Sequence, residues 1–209
     1  MTLWAVVPVK PLGYGKSRLS PVLGREQRRE LNRYLLCRTV TVLKGLSQIG
    51  VVLVVSRDPE ALALARSLGA RTLLESRSEG LNQAVLLGTL LAQRSRADAA
   101  LILPTDLPLL SRAALETFLS AAQSAQPLVA IAPDRHRRGT NALYLVPPNL
   151  PRFCFGENSF QAHCELAMQL CRRCAVIDVP ELAFDLDDAE DWELAGTLLS
   201  PDSPLPGYF

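Results

Sequence analysis

Apolar runs of strand length alternate with helical stretches over much of this chain, and that alternation constrains the fold more than any other feature. "LWAVVPV" (3–9), "VVLVVS" (51–56), "RTLLES" (71–76), "AALILP" (99–104) and "PLVAIAP" (127–133) read as strands. The continuous apolar runs among them mark strands covered on both faces. Helical spacing fills the intervals at 25–49, 58–70, 79–96 and 111–125. In the first of these, Leu31, Leu35, Val42, Leu43 and Leu46 make the apolar stripe. Asp58 before Pro59 opens the second, Gly69 follows its end, and Ser111 caps the fourth. Strand following helix in this way predicts an α/β fold with right-handed crossovers, a mainly parallel sheet and helices on both faces. Ligands of such sheets sit beyond the carboxyl ends of the strands. The loops after residues 9, 56, 76, 104 and 133 are therefore the places to look for function.

A chain of 209 residues suits one domain with a full core. We expect it to span 1–199, with a Pro-rich irregular tail, "SPDSPLPGYF", at 200–209. The net charge of +1 supplies no global field for nucleic acid or an anionic membrane, so any basic function is local. No apolar run approaches the ~20 residues that span a bilayer. The start, "MTLWAVVPVKP", lacks the features of a signal peptide, and the expected location is cytoplasmic. Five cysteines without a secretion signal argue against a disulfide framework. "CRRC" (171–174), with Cys164 and His163 nearby, has the look of half a zinc site. No second C-x-x-C completes it, and free thiols are the better reading.

The first loop, "PVKPLGYGKSRLSP" (8–21), carries Lys10, Lys16 and Arg18 on a backbone loosened by Gly13 and Gly15. It is neither a Walker A sequence nor G-x-G-x-x-G. Its composition suits either the phosphates of a nucleotide or a solvated surface. In "LILPTDLPLL" (101–110), Asp106 stands just past a buried strand. Such a carboxylate is a turn residue or holds a hard cation such as Mg²⁺. In "FDLDDAEDWELA" (184–195), Asp188, Glu190 and Asp191 suit the start of a helix. Asp185 and Asp187 alternate, so in an extended segment they share one face and one of them can join Asp106 at a metal. "APDRHRRGTNALYL" (132–145) is an exposed turn or an anion site. "FCFGENSFQAH" (153–163) places Gly156 and Ser159 before a helix, with Ser159 as an N-cap or as a hydroxyl in an anion-binding nest. Gly80 and Asn82 open another helix, where an asparagine serves as a cap or bonds the edge of a base.

In combination, "PVKPLGYGKSRLS", "EGLNQAV", "LPTDLPLL", "APDRHRRGTNAL", "FGENSFQAH" and "DLDDAEDW" resemble the 2-phospho-L-lactate and phosphoenolpyruvate guanylyltransferases of coenzyme F420 biosynthesis. The resemblance runs from about residue 3 to residue 198. It implies a Rossmann-like nucleotidyltransferase fold shared with the molybdopterin guanylyltransferases. It also implies transfer of GMP from GTP to a phosphorylated three-carbon acid, with release of pyrophosphate. On that resemblance Lys10, Lys16 and Arg18 hold the triphosphate, and Gly80 and Asn82 lie at the guanine. Asp106 binds Mg²⁺ with Asp187, or second Asp185, and Thr140, Gly156 and Ser159 receive the acid. A homodimer is the oligomer it implies. Two departures stand out. The family's "DRHGGGTN" reads "DRHRRGTN" here, with Arg137 and Arg138 for glycines, and its "DTPED" reads "DDAED".

The chemistry fits the residues independently. Phosphoryl-type transfer needs charge neutralisation and in-line positioning, which Mg²⁺ and Lys/Arg supply. The attacking phosphate is already an anion, so no general base is required. His136 and His163 fall in the acceptor segments, away from any nucleophile motif, which disfavours a hydrolytic triad. A molybdopterin or sugar-phosphate nucleotidyltransferase is the alternative within the fold, but the first loop lacks the "L-A-G-G-x-S-x-R" of those enzymes. A non-catalytic nucleotide-binding or assembly protein that kept the fold is the alternative of another class.

Overall fold

In the computed structural model, residues 1–76, 80–122 and 128–198 are described. The Pro-rich tail expected at 200–209 lies outside them, as do Ser78 and Glu79 of the "SEGLNQA" segment.

Seven strands form one sheet in the order β3-β2-β1-β4-β6-β5-β7. They are β1 (Leu3–Pro8), β2 (Ile49–Ser56), β3 (Arg71–Leu74), β4 (Ala99–Ile102), β5 (Leu128–Pro133), β6 (Thr140–Val146) and β7 (Arg173–Val176). β1 pairs in parallel with β2 and β4, β2 with β3, and β5 with β7. β6 runs antiparallel to both its neighbours, β4 and β5. The helices are α1 (Arg25–Lys44), α2 (Pro59–Ser67), α3 (Leu81–Arg94), α4 (Arg112–Ala121), α5 (Ser159–Gln169), α6 (Pro180–Ala183) and α7 (Ala189–Leu198), and a 3₁₀ turn covers Ser17–Leu19.

The expected α/β architecture with a mainly parallel sheet is what forms. β1 shows why its run is apolar throughout. Leu3, Ala5 and Val7 enter one core with α1, α2 and α4, while Trp4 and Val6 enter the core on the other face with α3 and α5. Alternate residues point to opposite faces, and both faces are covered. α3 lies so close to the sheet that a Cβ on Gly88 would stand 2.4 Å from Val6 Cγ1. The expected caps form. Asp58 accepts from Glu60 N–H at 2.9 Å and Ser111 from Ala114 N–H at 3.1 Å.

Several expectations are corrected. The first helix stops at Lys44 rather than 49, because Gly45 follows it with a poor helical propensity. β3 ends at Leu74, two residues short of 76. β6 and β7 were not anticipated, and the C-x-x-C runs into β7, with Cys174 inside the strand and Cys171 before it.

Two features of this frame place the site. β1 has β2 on one side and β4 on the other, so the loops leaving β1 and β4 diverge at the point where strand order reverses. A third apolar cluster joins Leu19, Leu23, Leu31 and Leu35 to Phe184, Leu186, Trp192 and Ala195. It seats the end of the first loop against the segment carrying Asp185 and Asp187.

Candidate active site

A cleft of about 990 Å³ opens over the carboxyl ends of the parallel strands and is lined from the loops after β1, β2, β3, β4 and β5. That volume accommodates a nucleotide with a small second substrate. β6 runs the other way, so its amino end delivers Thr140 and Asn141 to the same rim.

The first loop is fixed before it reaches the cleft. Leu12 N–H donates to Asp58 Oδ2 at 2.8 Å, and Asn32 Nδ2 donates to Leu12 O at 2.7 Å. Gly15 lies flat against that asparagine, where a Cβ would meet Asn32 Nδ2 at 2.7 Å. Lys16 then takes a left-handed backbone conformation, φ 59°, before the 3₁₀ turn. Its ammonium lies 3.1 Å from Asp187 Oδ1 and 3.5 Å from Asp106 Oδ2, with the side chain 9% exposed. Burial works to lower its pKa, but Asp106 and Asp187 outweigh that and hold it above the usual lysine range. Lys10 and Arg18 line the same cleft and are exposed.

Asp106, Asp185 and Asp187 all face the cleft. Burial, then the nearby Asp106 and Asp187 charges, push the Asp185 carboxyl up to about 6. Asn141 Nδ2 lies 3.5 Å from Asp185 Oδ1 and donates to Leu182 O at 2.9 Å. Asp106 Oδ1 is buried with no hydrogen-bond partner. An orphaned carboxylate oxygen beside two further carboxylates fits a cation that the side chains alone do not satisfy. Among the described residues no group of three carboxylate, imidazole or thiol ligands closes around one point. The fit is therefore to an ion taking one or two carboxylates and completing its shell from phosphate oxygens and water, as Mg²⁺ does.

Asp191 holds this acidic segment in place. It is buried, and its Oδ2 accepts the N–H groups of Asp187 at 2.7 Å and Asp188 at 3.0 Å. Its Oδ1 takes the Arg135 guanidinium, which also stacks on Phe184, 5.1 Å from the ring centroid. Asp188 in turn caps α7 through Glu190 and Asp191 N–H.

The opposite end of the cleft is built by Arg138, Gly139, Thr140 and the turn Phe155–Ser159. Asn158, at φ 55°, is the N-cap of α5, so Ser159 is not the cap but the buried first residue of the helix. Phe160 N–H donates to Arg138 O at 3.0 Å, which joins this turn to the β5–β6 loop. His163 is fully buried beneath Thr140 and Phe155.

Every residue expected at a site lines this one cleft except Asn82. Its amide oxygen accepts from Phe155 N–H at 2.7 Å, and its amide nitrogen donates to Phe155 O at 3.0 Å. These two bonds fasten the Phe155–Ser159 turn to α3 and leave the amide one N–H and one lone pair. Gly80, at φ 89°, does stand at the cleft as the N-cap of α3. Sequence reasoning missed Arg57 and Glu75, which line the cleft just past β2 and β3, where the strand-end rule already pointed. It also missed Asp191 and His163, whose burial had no local signature. Among the described residues no group of three such ligands gathers to complete the half zinc site, and both His163 nitrogens face protein partners.

The family described as "Guanylyl transferase CofC like" matches residues 3–198. A phosphoenolpyruvate guanylyltransferase of Rubrobacter xylanophilus is 44% identical over 191 residues, 91% of this chain and 92% of that one. A 3-phospho-D-glycerate guanylyltransferase of Colwellia psychrerythraea is 32% identical, over 94% of this chain and 92% of that one. Among solved structures, a nucleotidyl transferase from Methanothermobacter thermautotroptrophicus superposes with a TM-score of 0.63 at 15% identity, covering 92% of this chain and 95% of that one.

Proposed function

The chain belongs to the CofC-like guanylyl transferase family and is a nucleotidyltransferase, and from that premise we propose that it joins GMP from GTP to the phosphate of phosphoenolpyruvate in coenzyme F420 biosynthesis. Phosphoenolpyruvate is put ahead of 3-phospho-D-glycerate and 2-phospho-L-lactate because the relative named for it shares more of this sequence than the one named for 3-phospho-D-glycerate. The observation that carries the proposal is the pairing, across one cleft, of Lys16, Asp106 and Asp187 with Thr140, Gly156 and Ser159.

A phosphate oxygen of the acid attacks the α-phosphorus of GTP. A new P–O bond forms, the bond from the α-phosphorus to the bridging oxygen breaks, and its electrons leave with pyrophosphate. No proton need be removed, since the attacking oxygen is already anionic. Lys16, Lys10 and Arg18 take the triphosphate and the charge that grows on the departing pyrophosphate. Asp106 and Asp187, with Asp185 behind them, would hold Mg²⁺, which supplies charge neutralisation at the α-phosphate. Thr140 and Ser159 donate to the acid, and Arg138, which lines the cleft beside them in sequence, is the cation for its carboxylate. Gly80 would lie at the guanine, with Arg57 and Glu75 lining the same cleft.

Among the described residues no helix is long and apolar enough to cross a membrane. A cytoplasmic location is part of the proposal. The deciding experiment follows pyrophosphate release from GTP and Mg²⁺ with each of the three acids in turn. Release that needs one acid, highest with phosphoenolpyruvate, is expected. No stimulation by any of them overturns the proposal, and stabilisation by CTP but not GTP points to another nucleotidyltransferase.

A further inference from the structure

Thr140 and His163 form a pair that resembles a nucleophile and its base, with Thr140 Oγ1 3.0 Å from His163 Nδ1. The rest of the ring shows a different arrangement. Cys154 N–H donates to His163 Nε2 at 3.1 Å, so Nε2 carries a lone pair and no proton. Burial pushes the imidazole pKa down to about 4, and the ring is neutral near pH 7. A neutral imidazole has one N–H, which must then be on Nδ1. Nδ1 therefore donates, shared between the threonine oxygen and the Ser159 carbonyl, and cannot remove the threonine proton.

That assignment fixes the polarity of Thr140. With one lone pair taken by Nδ1–H, its own O–H has to find an acceptor elsewhere, and no other partner for it is present among the described residues. Thr140 is buried yet lines the cleft, so the O–H is free to point at what binds there. Phosphate and carboxylate oxygens only accept. In the other tautomer the threonine would donate to Nδ1 and turn lone pairs toward the anion. The same ring stands edge-on to Phe155, 4.9 Å between centroids and 70° between planes, under the turn that leads to Gly156 and Ser159.

We propose that His163 is a positioning residue for the acceptor substrate: as the Nδ1–H tautomer it forces the Thr140 hydroxyl to act as a donor to an anionic oxygen of the acid. The proposal rests on the acceptor being a phosphorylated acid, as argued above. It is tested by KM for the acid and for GTP, and by melting temperature, in His163→Gln, His163→Asn, Thr140→Val and the double variant His163→Gln/Thr140→Val. His163→Gln removes the Nδ1–H and should raise the acid KM by about tenfold or more, the worth of a hydrogen bond to a charged group, with GTP KM unchanged. His163→Asn, whose amide N–H falls near Nδ1, should recover most of that loss without recovering heat stability. In the Thr140→Val background His163→Gln should raise the acid KM no further. Equal damage to both KM values, no recovery by asparagine, or a full added effect in the double variant would overturn the role. If the histidine variants do not fold, nitrogen NMR of the unaltered protein decides: a proton on Nδ1 is expected, and one on Nε2 sinks the proposal. An unaltered protein that accepts no acid refutes the reading of the acceptor, and the NMR result then stands apart from it.

Discussion

Two arginines stand side by side at 137 and 138, and the fold gives them unlike work. Arg137 sits at φ 54°, pairs with Asp178 at 2.9 Å and lies 5.4 Å over the Phe160 ring. Arg138 has both ends of its backbone tied, N–H to Asp134 Oδ1 at 2.7 Å and carbonyl to Phe160 N–H, while its guanidinium lines the cleft with no partner among the described residues. Arg138→Gly should therefore raise the acid KM about tenfold and leave GTP KM alone. Arg137→Gly should leave both unchanged, because glycine accepts the left-handed backbone and the lost pair is exposed. Steady-state kinetics with each substrate varied decide this, and an acid KM unmoved by Arg138→Gly removes that residue from substrate binding. Asp106 is the other single residue on which much depends. Asp106→Asn should lower turnover by about a hundredfold or more with little change in melting temperature, since Asp187 still pairs Lys16 at 3.1 Å. An active Asp106→Asn enzyme would take the aspartate out of the metal site.

At the level of elements, the parallel half of the sheet was legible because β1 and β4 are buried throughout and α2 and α4 carry side-chain caps. β6 was not, because Thr140 and Asn141 made its start look like the end of a polar loop. β7 was hidden inside "CRRC", whose cysteines draw attention away from a four-residue strand that is exposed at its ends. Cleft-lining residues were legible in the loops after β1 and β4, but Arg57 and Glu75, past β2 and β3, were not. The bonds of Asn82 were not legible because their partner, Phe155, lies 73 residues away, and no local pattern records a contact of that range. Asp191 failed for a different reason. A carboxylate in the first turn of a helix has an ordinary explanation, and only the fold shows it bonded to the main chain of Asp187 and to Arg135. Asp191→Asn should destabilise the protein by about 1–3 kcal/mol, since the buried carboxylate loses its charge-assisted bond to Arg135. It should also weaken turnover through the loosened Asp187, and denaturant unfolding beside a kinetic assay measures both effects. Activity lost with no change in stability would mean that Asp191 acts at the cleft itself.

Across the whole molecule two buried groups pull stability in opposite directions with pH. His163 is at about 4 when folded, below the ordinary 6.5. Between those values the unfolded chain binds a proton that the folded one refuses, so stability falls as pH drops, by about 3 kcal/mol in all. Asp185 is at about 6 when folded, above the ordinary 3.8. Over nearly the same window the folded state binds the extra proton, and stability rises as pH drops, by about 2–3 kcal/mol. The two nearly cancel, so Asp185→Asn should be more stable at pH 7 yet lose stability far more steeply toward pH 4 than the unaltered protein. Denaturant melts at a series of pH values test this, and parallel curves for the two proteins would refute it. GTP with Mg²⁺ at a hundred times its Kd should stabilise the fold by about 2.7 kcal/mol, seen as a thermal shift that Asp106→Asn reduces. The contact between Lys16 and Asp187 bridges 171 positions in the chain. Translation makes the lysine early and its aspartate near the last helix, and domains fold as units during synthesis. A nascent chain, or one cut short by a premature stop codon before Asp187, therefore carries the phosphate-facing loop without the carboxylates opposite it. Messages broken near their 3′ end should yield protein with no transferase activity, however much of the sheet has folded.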